Sequence, residues 1–288
     1  MAKRRLGQHF LFDPAILRRV VDAAQITSQD TVVEIGPGHG RLTKMLSAVA
    51  ARVIAIELDR SLCEKLREEL AILRDRIVPP FLKETAGFQV SKVLEGPPAH
   101  NGEIELICGD ALKYPYEELG LFKVVANIPY YITTPIIFRL MRAKKNLQSM
   151  TLTVQKEVAR RIAAKPNTKD YGVLSIGIQF YAEAELKFII PRGAFQPVPA
   201  VDSAVIHISM HKQPFLKVTD EDLYFKVVRT AFLQRRKTIA NALKGLFPNI
   251  KTALEEADIE TLRRPETLSL EDFGRLAHAL GKHPLPVS

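Results

Sequence analysis

The chain predicts an α/β fold, an open and largely parallel sheet followed by a small helical domain. Through the first two hundred or so residues, short runs rich in Val, Ile and Leu alternate with helix-length stretches, the pattern of strands joined by helical crossovers. Beyond residue 211 the strand signal stops, and after Lys212-Gln213-Pro214 helix-period segments take over. A chain of 288 residues sits where a single hydrophobic core tends to divide in two. Domain boundaries of 1–211 and 212–288 follow.

The first strand is Thr31-Val32-Val33-Glu34-Ile35, which runs into Gly36-Pro37-Gly38-His39-Gly40 and the helical Arg41-Leu42-Thr43-Lys44-Met45-Leu46. This is not a dinucleotide fingerprint, because G-x-G-x-x-G needs glycine where the chain has Arg41. The G-x-G-x-G turn instead lets a ligand approach the backbone where a Cβ would collide. The second strand, Arg52-Val53-Ile54-Ala55-Ile56, ends in Glu57, the position at which a ribose diol is gripped. A third, Ile104-Glu105-Leu106-Ile107-Cys108, ends in Gly109-Asp110-Ala111. Alone, Glu57 reads equally well as a solvated strand-end acid and Asp110 as a turn cap.

The fourth strand, Phe122-Lys123-Val124-Val125-Ala126, leads into Asn127-Ile128-Pro129-Tyr130. In isolation this is a proline turn after a buried strand. Placed with the other three strand tips it suits an exocyclic amine such as adenine N6. The Asn127 side-chain carbonyl and the Ile128 backbone carbonyl accept the two amine hydrogens, and Pro129 restricts the backbone that presents them. Tyr130 offers a stacking face. An amine conjugated with its ring is a weak nucleophile, so two acceptors that favour a pyramidal nitrogen act where the chemistry is hardest. Gly36, Glu57, Asp110 and Asn127 thus put ligand-type residues on four successive strand tips, where open α/β sheets bind ligands.

The later strands are expected at Met150-Thr151-Leu152-Thr153-Val154, Leu186-Lys187-Phe188-Ile189-Ile190 and Ala204-Val205-Ile206-His207-Ile208, completing a seven-stranded sheet with an antiparallel pair at its end. Helices are expected over residues 223–247 and 250–262, and from Ser269-Leu270-Glu271-Asp272, an N-cap followed by acids. Pro79-Pro80, Gly96-Pro97-Pro98 and Asn101-Gly102 mark residues 79–102 as an insertion loop on the surface.

The ordered set of motifs resembles the KsgA-type ribosomal RNA adenine N6,N6-dimethyltransferases over nearly the whole chain. It comprises Gly7-Gln8-His9-Phe10-Leu11, Glu34-Ile35-Gly36-Pro37-Gly38-His39-Gly40, Glu57-Leu58-Asp59, Gly109-Asp110-Ala111 and Asn127-Ile128-Pro129-Tyr130-Tyr131. Tyr171-Gly172-Val173-Leu174-Ser175, the run Phe195-Gln196-Pro197-Val198-Pro199-Ala200-Val201-Asp202-Ser203 and Phe232-Leu233-Gln234-Arg235-Arg236-Lys237-Thr238 complete it. The resemblance implies a Rossmann-like class I methyltransferase domain that uses S-adenosyl-L-methionine. It implies that His9, Leu11, Gly36, Glu57, Asp110 and Asn127 line the cofactor site, and that Tyr130 and Phe195 hold the target adenine between them. The implied substrate is the hairpin loop near the 3′ end of small-subunit rRNA, in an assembling particle. Two alternatives are an Erm-type methyltransferase of large-subunit RNA and a non-catalytic assembly factor on the same fold.

Charge agrees with a polyanionic partner. The chain carries a formal +9, and no acid falls between Asp222 and Glu255, where Arg235, Arg236 and Lys237 stand together. Arg142 with its basic neighbours and Lys3, Arg4 and Arg5 form further groups. Basic clusters of this kind bind phosphates by counterion release, a term without sequence information. Each is also readable as a solvated helix face. The start lacks an apolar segment after its basic residues, so a cytoplasmic monomer with no membrane contact is expected. Cys63 and Cys108 read as core thiols, and the seven histidines lack ligand spacing, so no metal is expected.

Overall fold

The computed structural model describes residues 9–72, 89–92 and 102–282. Among these, the strands are β1 (Phe10–Leu11), β2 (Thr31–Ile35), β3 (Arg52–Glu57), β4 (Gln89–Lys92), β5 (Glu103–Cys108), β6 (Phe122–Asn127), β7 (Leu147–Gln155), β8 (Ala182–Ile190), β9 (Phe195–Gln196) and β10 (Ser203–Met210). Eight of them form one sheet in the order β4-β5-β3-β2-β6-β7-β10-β8, and β1 pairs with β9 apart from it. The pairings among β5, β3, β2, β6 and β7 are parallel, while β10 runs antiparallel to β7. Seven of the eight are the expected strands. The apolar runs of the central strands β2, β3 and β6 show no polar alternation because both faces of a central parallel sheet are covered, and Val32, Val33, Ile54, Ala55, Val124 and Val125 are fully buried.

The eighth strand corrects the reading of residues 79–102 as a loop. β4 lies inside that span and pairs antiparallel with β5, from Gln89 opposite Cys108 to Lys92 opposite Glu105. An edge strand presents unpaired N–H and C=O groups, and the insertion covers them. The rest of the span, apart from Gly102, lies outside the described residues, as do Lys3, Arg4 and Arg5.

Helices α1 (Pro14–Ala23), α2 (Arg41–Ser47), α3 (Arg60–Ile72) and α4 (Thr133–Arg142) belong to the sheet-bearing unit. Asp13 caps α1 by accepting from the Ala15 N–H at 2.8 Å. The packing of α3 overturns the reading of two separate thiols, since Cys63 on this helix and Cys108 at the end of β5 form a disulfide with a Cα–Cα distance of 6.0 Å. The helix returns across the sheet with Cys63 turned inward, a direction that sequence separation does not reveal.

The chain folds as two units, Met1–Ala159 with Glu185–Met210, and Arg160–Ala184 with His211–Ser288. Residues 160–184 therefore join the helical unit rather than the catalytic one. Tyr171, Ile176 and Phe180 are fully buried in a core with Tyr224, Val227 and Phe273, which accounts for their place. After α5 (Lys156–Ile162) and α6 (Val173–Gln179) this unit contains α7 (Glu221–Leu233), α8 (Ile239–Leu243), α9 (Ile250–Glu256) and α10 (Leu270–Lys282). The helix expected over 223–247 is broken. Residues 234–238 offer no apolar side chain to bury, and the Thr238 hydroxyl accepts from the Asn241 N–H and starts α8 instead. Likewise α9 stops at Glu256. The last helix opens as expected, with Ser269 and Asp272 capping each other reciprocally.

Candidate active site

Strand order decides where a ligand sits. From β2 the chain steps outward through β3 to β5, then returns to the other flank of β2 with β6. Connections that diverge in this way open a crevice beyond the carboxyl ends of the strands. Register sets Ile35 beside Ala126, so Gly36 and Asn127 meet at that crevice, where a Cβ on Gly36 would stand 3.9 Å from the Asn127 backbone oxygen.

His9, Phe10, Gly36, Glu57, Asn127, Ile128, Pro129 and Tyr130 line one cavity there. Leu11, Glu34, Gly36, His39 and Asn127 line a second that shares part of its wall. Of the expected cofactor residues, all but Asp110 reach these two cavities. Asp110 stands at the neighbouring tip of β5, where one carboxylate oxygen accepts from the Leu112 N–H at 2.9 Å and caps the turn.

The glycine turn is shaped by what presses on it. Gly38 has φ +56° and lies against the Phe10 ring, 2.7 Å from the place of a Cβ. A side chain there would push β1 away from the crevice. Gly40, at φ +68°, would drive a Cβ to 2.2 Å from Leu66 Cδ1 on α3. Phe10 also packs edge-on to His39, with ring centroids 4.6 Å apart.

Asn127 is oriented by the segment that crosses it. Its Nδ2 donates to the His9 carbonyl at 2.9 Å, and because a carbonyl only accepts, Oδ1 must point the other way as an acceptor. His9 is itself fixed, its Nδ1 donating to the Pro197 carbonyl at 2.7 Å, and its ring lies 5.5 Å from that of Tyr130. The Ile128 N–H donates to Thr153 O at 3.2 Å, and Tyr130 Oη shares a 2.8 Å hydrogen bond with Ser203 Oγ. Asn127, Ile128 and Tyr130 are thereby each tied to another segment of the unit. Phe10, His39, Glu34 and Ser203 were not singled out individually from sequence, although all four lie inside motifs that were.

Phe195 departs from its expected role as an exposed stacking ring. It pairs with Leu11 through β1 and β9, is 3% exposed, and joins the core of the sheet-bearing unit. Of the two expected rings, only Tyr130 lines the cavity.

Glu57 accepts from the Gly38 N–H at 3.1 Å and from the Asp59 N–H at 2.9 Å. Burial raises its pKa above the usual carboxylate range, and these two N–H donors oppose the rise. Glu34 is fully enclosed, with Oε2 lacking a hydrogen-bond partner. Burial pushes its pKa up to about 8, opposed by the Thr43 hydroxyl and aided by the Glu57 charge. Between the ordinary carboxylate range and about pH 8 the folded chain thus holds a proton that the unfolded chain has released. Stability falls as pH rises through that window. Glu34→Gln is expected to flatten this slope, as read from urea midpoints between pH 5 and 8; an unaltered slope would place its origin elsewhere.

The seven expected strands in this order, with a glycine turn after the first of them and acids at the next two tips, define a Rossmann-like S-adenosylmethionine-dependent methyltransferase. The model of the family "Ribosomal RNA adenine dimethylase" matches residues 1–282, and the chain belongs to that family. A Ribosomal RNA small subunit methyltransferase A from Listeria monocytogenes serovar 1/2a is 43% identical over 286 residues, covering 97% of this chain and 90% of the relative. A dimethyladenosine transferase from Plasmodium falciparum has a similar structure, with TM-score 0.75, 26% identity, and 93% and 96% of the two chains covered. The 23S rRNA methyltransferase ErmE follows with TM-score 0.69, 27% identity, and 94% and 99% coverage. Among the described residues no helix is long and apolar enough to cross a membrane.

Proposed function

We propose that the protein dimethylates N6 of two adjacent adenosines in the hairpin loop near the 3′ end of small-subunit rRNA, as a cytoplasmic monomer acting on an assembling subunit. The observation that carries this reading is Asn127, a residue that lines one cavity with Glu57 and Gly36 and whose amide nitrogen is spent on His9, which leaves its carbonyl oxygen as the acceptor. The small-subunit relative at 43% identity supports the choice of particle over the large-subunit reading.

The residues fit the family's cofactor, since Gly36, which has no side chain, and Glu57 at the second tip line the same cavity. In this reading His9, Leu11, Gly36, Glu57, Asp110 and Asn127 hold the cofactor, which when bound supplies an electrophilic methyl group. Asn127 Oδ1 and the Ile128 carbonyl accept the two amine hydrogens and turn the nitrogen lone pair out of conjugation. No strong general base is needed, because the proton leaves after the methyl has arrived. Tyr130 replaces part of the stacking that the base gives up on leaving its stack, worth about 1 to 3 kcal/mol.

Incubation with labelled cofactor and unmethylated small subunits should yield N6,N6-dimethyladenosine at two adjacent positions. Label confined to large-subunit RNA would overturn the assignment in favour of the second reading.

Among the basic residues, the structure separates Arg235 from its neighbours. Arg235 donates to the Thr168 carbonyl at 3.2 Å and sits 4.0 Å from Glu266, which makes it a brace within the helical unit. Arg236 and Lys237 stay exposed in the turn between α7 and α8, as does Arg142 at the end of α4. Arg236→Ala with Lys237→Ala is expected to lower the log-log salt slope of subunit binding by about 0.7 to 0.9 for each phosphate that the variant no longer neutralises. Arg235→Ala should chiefly lower the melting temperature. An unchanged slope in a folded double variant would move RNA binding to the groups near Arg142 and Lys3.

A further inference from the structure

A covalent bond ties together the segments that carry the two acid-bearing strand tips. Glu57 closes β3, and its register partner on β5 is Cys108. One residue on, the Gly109 N–H donates to the Glu57 carbonyl at 2.8 Å, and Asp110 follows. On the other side, the Asp59 N–H donates to Glu57 Oε1 at 2.9 Å, and the Asp59 carbonyl accepts from the Cys63 N–H at 2.9 Å where α3 begins. The bond between Cys63 and Cys108 therefore closes a circuit through Glu57, running from strand tip to turn, helix, sulfur bridge and neighbouring strand. Cys63 is fully buried, whereas Cys108 is partly exposed. Arg67, one turn beyond Cys63 on α3, places Nη2 3.7 Å from Cys108 Sγ, and its buried Nε has no hydrogen-bond partner. A guanidinium beside a sulfur steadies the negative charge that cleavage of the bond leaves there.

We propose that Cys63 and Cys108 form a thiol–disulfide exchange site, opened by a dithiol reductant, whose oxidised form holds Glu57 for the cofactor and whose reduced form binds that cofactor more weakly. In the cytoplasm proposed above, thiol pools make static disulfides rare, and those that occur are mostly transient or redox-sensing. The exchange begins at the exposed sulfur. A thiolate of the reductant attacks Cys108 Sγ, the bond to Cys63 breaks, and Cys63 leaves with the electron pair and takes up a proton that the dithiol has given up. The second thiolate of the reductant then attacks its own sulfur in the mixed disulfide. Cys108 is released as a thiolate beside Arg67, and the reductant departs as a disulfide, two electrons poorer. Once α3 is free of β5, the turn at Asp59 that positions Glu57 Oε1 loses its brace. Leu66 and Leu70 remain packed in the core, so the helix stays on the sheet and the loosening is confined to the ribose grip.

This inference rests on the cofactor reading, so its test begins with the unaltered protein. The chain has two cysteines, and any thiol response therefore belongs to this pair. The protein is equilibrated with oxidised or reduced dithiothreitol, its free thiols are counted by alkylation and mass spectrometry, and each form is titrated calorimetrically with S-adenosylhomocysteine. The reduced form should bind about five- to tenfold more weakly, the low end of couplings between two sites, and re-oxidation should restore the affinity. Turnover on small subunits at saturating cofactor should differ by less than about twofold between the two forms, since a weaker hold on the ground state raises KM before it lowers kcat. Cys63→Ser should bind like the reduced wild type and ignore the reductant. A bond that survives excess dithiol in the folded protein is a static crosslink and overturns the proposal. Thiols that never pair in oxidised dithiothreitol overturn it too, as do equal affinities of the two forms or a Cys63→Ser variant that responds to the reductant as the wild type does. These outcomes leave the cofactor reading standing. Absence of binding by the oxidised wild type removes that reading, and the proposal with it.

Discussion

Replacing Asn127 by Ala is expected to lower turnover by roughly 10²-fold or more at saturating cofactor and RNA, the scale of removing one preorganised polar group that serves a transition state. The amide is preorganised because Nδ2 is committed to the His9 carbonyl, so Oδ1 needs no reorientation when the target amine arrives. Cofactor affinity should change only a few-fold, because Gly36 and Glu57 belong to other strands. The variant also frees the His9 carbonyl, and β1 with it, so loosening of that segment is the competing explanation. The two causes separate by measurement: a loosened β1 raises the dissociation constant for S-adenosylhomocysteine, whereas removal of the amine acceptor leaves it alone and lowers the single-turnover rate. Near-wild-type turnover at saturation would remove Asn127 from the mechanism.

The strand tips were legible from sequence because two independent patterns coincide at each of them. A run of branched apolar residues announces a buried parallel strand, and the residue type at its end announces a ligand. Gly36, Glu57 and Asn127 meet in space for a topological reason that any open α/β sheet imposes, so placing them needed no knowledge of side-chain packing. The elements that escaped depend on packing or on pairing too short to leave a period. Phe195 lies in a two-residue strand whose partner, Leu11, is far away in sequence, and nothing local says that its ring turns inward. The meeting of Cys63 with Cys108 follows from how α3 lies on β5. β4 pairs with an edge, and its four residues carry no apolar run. The division at residue 160 reflects a core assembled from Tyr171 and Phe180 with residues beyond 220, which a linear reading assigns to whichever domain is continuous.

Replacing Glu57 by Gln is expected to weaken cofactor binding by roughly 10- to 100-fold, since a hydrogen bond to a charged group contributes about 1.5 to 3 kcal/mol and each tenfold in affinity is about 1.4. The wild-type carboxylate sits on the Gly38 and Asp59 N–H groups, and these hold it in place for a diol. Gln keeps the volume and one acceptor, but its amide nitrogen would face a backbone donor. Urea unfolding of the variant therefore has to accompany the titration. The pH dependence adds a second and sharper readout. Burial raises the Glu57 pKa against the pull of those two N–H donors, and the ionised form is the one that accepts from a diol. Wild-type affinity should consequently fall as pH drops through the raised carboxylate range, because protonation must be reversed before the ligand is gripped. The Gln variant cannot take up that proton, so its affinity should be weaker but level over the same interval. Glu34, also raised by burial, already holds its proton below about pH 8 and adds no change in the acid range. Equal falls in affinity for both proteins on acidification would show that some other group carries the proton, and would remove Glu57 as the charged grip on the ribose.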